Sequence, residues 1–283
     1  MPRRAALYAF GALAGLSLLA LTWYCAFHVG PLERADAHVL RGFTSLAGHP
    51  HVSGLARRVA SLCDPQPYVF LCALPVAITL VRRRPWTLLV IAVVLLGANI
   101  STEFLKPLLA HPRLGQQLLV QPTVAAASWP SGHATAAMAL ALCCVLAAPP
   151  RLRPAAAVGG AAFAIAVSYS FLALGWHYPS DALGGFLVAA TWTAAAVAAV
   201  LAVQRRREGT PAAAGRRISL ATALAPAAAT LAGALLLALL VLIARPHEVV
   251  TYAREHTAFV AGAASIGTLA LSLAMSLMLT LRR

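Results

Sequence analysis

The chain has 283 residues, of which 60% are hydrophobic and 11% are charged. Soluble proteins carry about a quarter charged residues, and the apolar residues here form long runs typical of membrane-spanning helices. The net charge of +14 comes from short arginine clusters between those runs, which argues against a nucleic-acid-binding protein. We therefore expect an all-α, polytopic membrane protein that lies in the lipid bilayer and binds no nucleic acid.

The apolar runs predict eight membrane spans. In chain order they cover residues 5–27, 66–81, 86–105, 131–148, 155–175, 181–203, 218–244 and 257–281. An even number of spans places both termini on one side of the membrane. That side would carry fourteen basic residues and one acid, against eight basic residues and seven acids on the other. By the positive-inside rule, both termini are expected in the cytoplasm.

Polar segments divide the chain. The sequence LERADAHVLRGF (32–43) has apolar residues at helical spacing, which fits a short interfacial helix or a packed surface loop. RRREGTPAAAGRR (205–217) is typical of a cytoplasmic linker. It separates a core of six spans (1–204) from a last pair of helices (218–283). No ionisable residue falls within the last two spans, so we interpret 218–281 as a packing element or a surface for a helical partner.

The first polar cluster is STEFLKPLLAHPRLG (101–115). Lys106 is the only lysine of the chain, and a compact ammonium is not interchangeable with a planar guanidinium. Arg113 follows seven residues later, after two prolines that disturb the helix. The pair suits an anion site, although a cation that snorkels from a helix end would give the same pattern.

The second cluster, Pro130-Ser131-Gly132-His133, opens the fourth span. A helix start offers free backbone N–H groups and a positive dipole end, both suited to phosphate. Gly132 lets an anion approach the backbone, and Ser131 has a hydroxyl that donates a hydrogen bond. By itself, this tetrapeptide is equally explained as a helix cap beside an interfacial histidine.

The third cluster is SYSFLALGWHYPSD (168–181). His177 ends the fifth span, and Asp181 lies in the first turn of the sixth. A carboxylate near the imidazole Nδ1–H fixes the tautomer and leaves Nε2 as a nucleophile or base. The alternative is a capping aspartate beside an interfacial histidine.

All three clusters fall on one membrane face and together suit the holding of a phosphate and the exchange of its ester bond. The sequence has no His-x-x-His and no carboxylate cluster, so we expect neither a metal nor a cofactor.

The three motifs resemble those of the type 2 phosphatidic acid phosphatase (PAP2) superfamily, in its membrane lipid phosphatase branch. The family pattern is K-x6-R-P, then P-S-G-H, then S-R-x5-H-x3-D. The matching residues are Lys106, Arg113, Pro130 to His133, Ser170, His177 and Asp181. The resemblance implies a six-helix PAP2-like core, to which this chain adds two C-terminal transmembrane helices.

The resemblance also implies the roles of the site residues. His177 would attack phosphorus and form a phosphohistidine, and Asp181 would orient His177. His133 would protonate the leaving oxygen and then activate water. The phosphoryl oxygens would be held by Lys106, Arg113, Ser131, Gly132 and Ser170.

Two positions depart from the family pattern. Leu114 stands where a proline is expected, and Phe171 replaces an arginine that binds phosphate in the family. Loss of one such contact costs about 1.5–3 kcal/mol. We expect a nearby cation to supply part of it, and the candidates are Arg57, Arg58 and His111.

The expected function is hydrolysis of a lipid phosphate or diphosphate at the outer membrane–water interface. The single lysine and the heavy use of alanine and arginine suggest a GC-rich bacterial genome. That origin implies the plasma (inner) membrane, an extracytoplasmic active site and a slight preference for an isoprenyl carrier-lipid diphosphate. Two alternatives stay open: a phosphotransferase with a sugar or lipid acceptor, and a degenerate PAP2-like protein that binds or transports lipid.

Overall fold

The computed structural model describes residues 2–46, 48, 50–113, 124–208, 228, 251 and 254–282. This part of the chain is helical and contains no strand, which confirms the all-α expectation. The helices are α1 (Pro2–His28), α2 (Gly30–Leu46), α3 (Pro50–Ala60), α4 (Pro65–Val81), α5 (Pro85–Leu108), α6 (Gly132–Ala147), α7 (Arg153–Ala173), α8 (Pro179–Glu208) and α9 (Thr257–Arg282). A single 3₁₀ turn, Ser61–Cys63, separates α3 from α4.

The long apolar helices make this a multi-pass membrane protein. Five of the described helices, α1, α5, α7, α8 and α9, are long and apolar enough to cross a bilayer. The segment Pro50–Cys63 and α4 form a pair bent by 60°, which counts as a sixth crossing if the pair crosses as one unit. Apart from residue 228, the predicted span 218–244 lies outside the described residues, as does most of the linker, so the eight spans and the cytoplasmic termini stay predictions.

Helix α6 differs from the predicted span over 131–148. It has 16 residues and is therefore about 24 Å long, shorter than the roughly 30 Å of a bilayer core. Nearly all of its residues are buried, and α4, α5, α7, α8 and α9 pack around it. Small and apolar side chains on every face favour such a central position. The length of such an apolar run does not by itself distinguish a buried core helix from a membrane-spanning helix.

The outer helices complete the bundle. Helix α1 packs mainly along α8. Of the two interpretations of residues 32–43, the structure shows the helix: the segment lies within α2, which buries Ala37, Leu40 and Phe43. Helix α3 packs on α7, and α2 contacts both α7 and α9.

Helix α9 is tied to the first part of the chain by side-chain hydrogen bonds. The Tyr8 hydroxyl donates to Thr280 Oγ1 at 2.9 Å, and the Tyr169 hydroxyl donates to the Ala263 carbonyl at 2.6 Å. The guanidinium of Arg153 donates to the Leu281 carbonyl at 3.0 Å. The predicted division into 1–204, 205–217 and 218–283 stays a prediction, and α9 packs against the core across that division.

Candidate active site

The site lies at the end of the bundle where α6 and α8 begin. Ser131 is the N-cap of α6, and its Oγ accepts a hydrogen bond from Ala134 N at 3.3 Å. The backbone N–H of Ser131 donates to the Asp181 carbonyl at 3.0 Å, which joins the second and third motifs. A Cβ on Gly185 would come within 2.7 Å of the Ser131 carbonyl oxygen. The glycine therefore allows α8 to start directly against α6.

The turn after α7 presents His177. Gly175 has a positive φ of 70°, and its N–H donates to the Leu172 carbonyl at 2.9 Å. The next N–H, of Trp176, donates to the Phe171 carbonyl at 3.0 Å. These two bonds form a Schellman motif, in which glycine suits the left-handed position. The chain then reverses, and α8 begins at Pro179, so His177 lies between the two helix ends.

His177 and Asp181 form the predicted pair. His177 Nδ1 lies 3.3 Å from Asp181 Oδ2, and Tyr178 N donates to the same oxygen at 3.0 Å. The side chain of Asp181 has no exposed surface, whereas that of His177 is 12% exposed. A carboxylate fixed in this way holds the Nδ1–H tautomer of the imidazole and leaves Nε2 with its lone pair.

Arg113 lies behind this pair, with 1% of its side chain exposed. One terminal nitrogen, NH2, donates to Asp181 Oδ1. The other, NH1, donates to Asp36 Oδ2 at 2.8 Å and to Ser180 Oγ at 3.0 Å. In this conformation the guanidinium therefore bonds two carboxylates and orients Asp181.

The guanidinium is also enclosed by aromatic rings. Its central carbon lies 4.1 Å from the centroid of Phe27 and 4.4 Å from that of Tyr178. Such stacking stabilises a desolvated cation. Burial raises the pKa of the Tyr178 phenol to about 12, so the ring that covers Arg113 stays neutral at physiological pH.

Asp36 was missed by the sequence reasoning. Besides Arg113, it accepts hydrogen bonds from Ser180 N at 3.0 Å and from Ser180 Oγ at 2.6 Å. It thereby connects α2 to the start of α8. A signal was present in the sequence, because Asp36 shares one helical face with Leu40 and Phe43, where an apolar residue is the usual choice.

His133 faces His177 across the site. The centroids of the two rings are 6.4 Å apart. His133 is more open than His177, with 23% of its side chain exposed, and its Nε2 lies 3.1 Å from Asp64 Oδ1. Asp64, between α3 and α4, was also missed, because a contact between residues 69 positions apart depends on the tertiary fold.

Lys106 lies beside the start of α6, as the clustering of motifs predicted. A Cβ built on Gly132 would be 3.2 Å from Lys106 Nζ and 3.3 Å from Glu103 Oε1. Glycine is thus the residue that leaves room for these groups against the backbone. Lys106 Nζ and Glu103 Oε1 form an ion pair of 2.6 Å. A carboxylate therefore lies beside the position where the sequence predicts a phosphate.

Phe171 packs directly against the two histidines. Its side chain is fully buried, and its centroid is 5.1 Å from that of His177 and 6.2 Å from that of His133. An apolar wall thus occupies the position of the expected arginine. Its neighbour Ser170 donates its hydroxyl hydrogen bond to the Ala166 carbonyl of the same helix, at 2.7 Å.

The three candidate replacement cations lie in different surroundings. Arg57 and Arg58 are exposed in the last turn of α3. The ring of His111 stacks on His28, with centroids 5.7 Å apart, and contacts Phe27 edge-on at 5.9 Å. Compensation for Phe171 by one of these three residues stays a prediction.

The comparisons with known proteins agree with the motifs. A family model described as PAP2 superfamily matches residues 87–207. This segment belongs to the PAP2 superfamily. It contains every predicted site residue, whereas Asp36 and Asp64 lie outside it. Because members of this superfamily are phosphatases, the match supports phosphatase activity in general. The searches of curated proteins and of solved structures returned no significant match.

Proposed function

We propose that this protein is an integral membrane phosphatase that removes phosphate from a lipid phosphate or diphosphate, without a metal or cofactor. The observation that carries the proposal is the pair of histidines with ring centroids 6.4 Å apart. A phosphoryl group within an attack distance of about 3–3.5 Å of one ring, with its leaving oxygen about 2.6–3.2 Å from the other, would fit a pair of rings at this separation. Each histidine has its own carboxylate, Asp181 for His177 and Asp64 for His133.

The reaction proceeds in two halves. In the first, Nε2 of His177 attacks phosphorus, the phosphorus–oxygen bond to the lipid breaks, and His133 gives its proton to the leaving oxygen. Asp181, held by Arg113, stabilises the positive charge that develops on His177. In the second, His133 takes a proton from water, the water oxygen attacks phosphorus, and the nitrogen–phosphorus bond breaks. Inorganic phosphate and both histidines in their original states result.

The start of α6 holds the phosphoryl oxygens. The Gly132 amide and the helix dipole favour an anion there, and Lys106 adds the neighbouring positive charge. Ser131 and Ser170 remain further proposed ligands. Arg113 acts through Asp181 in the observed conformation, because its two terminal nitrogens bond to side chains of the protein.

A lateral groove supports a lipid substrate. A shallow, open groove lies between α5 and α8 and is almost wholly apolar. Its lining includes Ile100, Phe104, Leu105 and Trp192. Phe104 and Leu105 lie in the same end of α5 as Lys106, which would suit a lipid whose chain lies in the groove and whose headgroup reaches that ammonium. Our favoured substrate is an isoprenyl carrier-lipid diphosphate, on the extracytoplasmic side of the bacterial plasma membrane.

A phosphate-release panel tests the proposal. Purified protein is given an isoprenyl diphosphate, a phosphatidate and a glycolipid phosphate, each in mixed micelles. We expect release from at least one class and a fall of about 10³-fold or more for His177→Ala. The matched control, His51→Ala, removes an exposed histidine from α3 and keeps the wild-type rate. Absence of release from all three classes, together with absence of vanadate binding, would contradict a phosphatase.

Phe171 favours one alternative, a phosphotransferase. Its buried ring packs against His177 and makes one side of the site apolar, which would suit an acceptor other than water. Product analysis with sugar and lipid acceptors separates the two reactions, since a hydrolase releases the transferred phosphoryl group as inorganic phosphate and a phosphotransferase passes it to the acceptor. Lipid movement across proteoliposomes without hydrolysis would instead support a transport protein.

A further inference from the structure

Asp64 has an unusual position for an aspartate at a helix start. It is the N-cap of α4, yet its side chain makes no capping hydrogen bond. Instead, its Oδ1 lies 3.1 Å from His133 Nε2. The two residues come from different parts of the fold, the bend between α3 and α4 and the first turn of α6.

The local sequence explains why this carboxylate is free to reach a histidine. An N-cap side chain accepts from the backbone N–H at the second or third helical position. The segment reads Asp64-Pro65-Gln66-Pro67, and proline has no N–H. Only the Gln66 amide is left as a capping donor. The two prolines therefore weaken the capping role of Asp64. The extended backbone of Asp64, with a φ of −65° and a ψ of 152°, directs the chain into the bend.

The charges around His133 define what the carboxylate does there. From α5, Lys106 lies near the same helix start, in an ion pair with Glu103. From the turn between α7 and α8, His177 faces the ring at 6.4 Å. Lys106 disfavours a positive charge on His133, as does His177 when it is protonated, whereas Asp64 favours it. Glu103 pairs with Lys106, whereas Asp64 contacts the imidazole of His133 directly.

We infer that Asp64 is the positioning residue for His133: it accepts the Nε2–H bond, stabilises the imidazolium and leaves Nδ1 as the nitrogen that exchanges its proton with the leaving oxygen and with water. This inference rests on the proposed phosphatase function. The site then contains two histidine–carboxylate pairs, and the carboxylate bonds a different imidazole nitrogen in each. Asp181 bonds Nδ1 of the nucleophile and frees Nε2, whereas Asp64 bonds Nε2 of the acid and frees Nδ1.

Kinetics of Asp64→Asn test the inference on the active enzyme. The amide keeps the shape of the side chain and removes the charge. We expect kcat to fall about ten-fold with little change in KM, because the imidazolium loses its partner while phosphate binding is untouched. His133 must be protonated in the first half-reaction, so the basic limb of the kcat–pH profile moves to lower pH by roughly half a unit. Asp64→Glu restores most of the rate.

A control substitution at another carboxylate tests whether the effect is specific to Asp64. Glu255→Gln removes an exposed carboxylate just before α9 and leaves rate and profile unchanged. If Asp64→Asn keeps the wild-type profile, or if Asp64→Glu fails to recover activity in a folded protein, the inference is wrong. A wild-type protein that releases no phosphate would instead count against the proposed function.

A second measurement does not depend on turnover. Nitrogen-15 NMR of labelled histidine, with the His133 signals assigned by their loss in His133→Gln, reports which ring nitrogen carries the proton. We expect neutral His133 to be protonated at Nε2 in the wild type and to lose that preference in Asp64→Asn. The same tautomer in both proteins would overturn the inference even without a known substrate.

Discussion

The two histidines lie in contrasting surroundings. The side of the proposed nucleophile, called here the nucleophile side, consists of His177, Asp181, Arg113 and Asp36, and its polar groups bond to one another below the surface. The side chain of Asp181 is fully buried. The side of the proposed general acid, called here the acid side, consists of His133, Asp64, Lys106 and Glu103, and the side chains of Asp64 and Glu103 are 49% and 66% exposed. A group that keeps one orientation through the reaction benefits from a rigid buried network. A group that exchanges protons with water and admits a phosphate needs solvent. The contrast supports separate roles for the two histidines.

Removal of Arg113 should disrupt the hydrogen-bond network of the nucleophile side. We expect it to lower stability more than the other single substitutions below. In Arg113→Leu, Asp36 and Asp181 become buried carboxylates without a counter-charge, which costs about 3–5 kcal/mol. Thermal or denaturant unfolding in detergent measures this loss. Arg254→Leu, at an exposed arginine, should change the unfolding free energy by less than about 0.5 kcal/mol.

A double variant tests whether Asp36 and Arg113 stabilise the protein as a coupled pair. Because Asp36 bonds Arg113 directly, Asp36→Leu combined with Arg113→Leu should cost less than the two single losses added together. Strict additivity would show that the two residues do not act as one buried unit.

The sequence predicted the helical fold, the three motifs and their meeting at one end of the bundle. Local patterns carried that information, since apolar runs and motif spacing are read along the chain. Asp36 and Asp64 were not predicted, because their partners depend on how α2 and the α3–α4 bend pack against later helices. The surroundings of the predicted span over 131–148, the short buried helix α6, were not predicted for a related reason: hydropathy does not report which neighbours surround a helix.

Phe171→Leu tests the contact between the two sides. The ring lies edge-on to His177, an arrangement that contributes about 0.5–1.5 kcal/mol beyond area burial. We expect a stability loss of about 1–2 kcal/mol and a several-fold lower kcat, because the imidazole loses a packing partner. Phe186→Leu replaces an equally buried ring in α8. It should lose similar stability and keep its kcat, whereas equal kcat losses in both variants would point to a general packing effect.

Glu103→Gln should have the smallest effect of these substitutions. Unlike the others, it should improve a property of the site, the binding of an anion. The Glu103 carboxylate pairs with Lys106 beside Gly132, so it competes with a phosphate for that cation. Since exposed ion pairs contribute about 0–1 kcal/mol, the inhibition constant for vanadate should fall by about two- to five-fold. Weaker vanadate binding in this variant would mean that Glu103 assists the anion site instead of competing for it.

The central claim is that His177 forms a covalent bond to phosphorus, and direct trapping tests it best. The protein is mixed with a labelled lipid phosphate turned over in the panel, quenched within milliseconds under alkaline conditions and digested for mass spectrometry. The account predicts an acid-labile phosphate on the peptide that contains His177, increased in His133→Gln if hydrolysis of the intermediate slows more than its formation. Rapid phosphate release with no labelled peptide, or label on a residue other than His177, would contradict it.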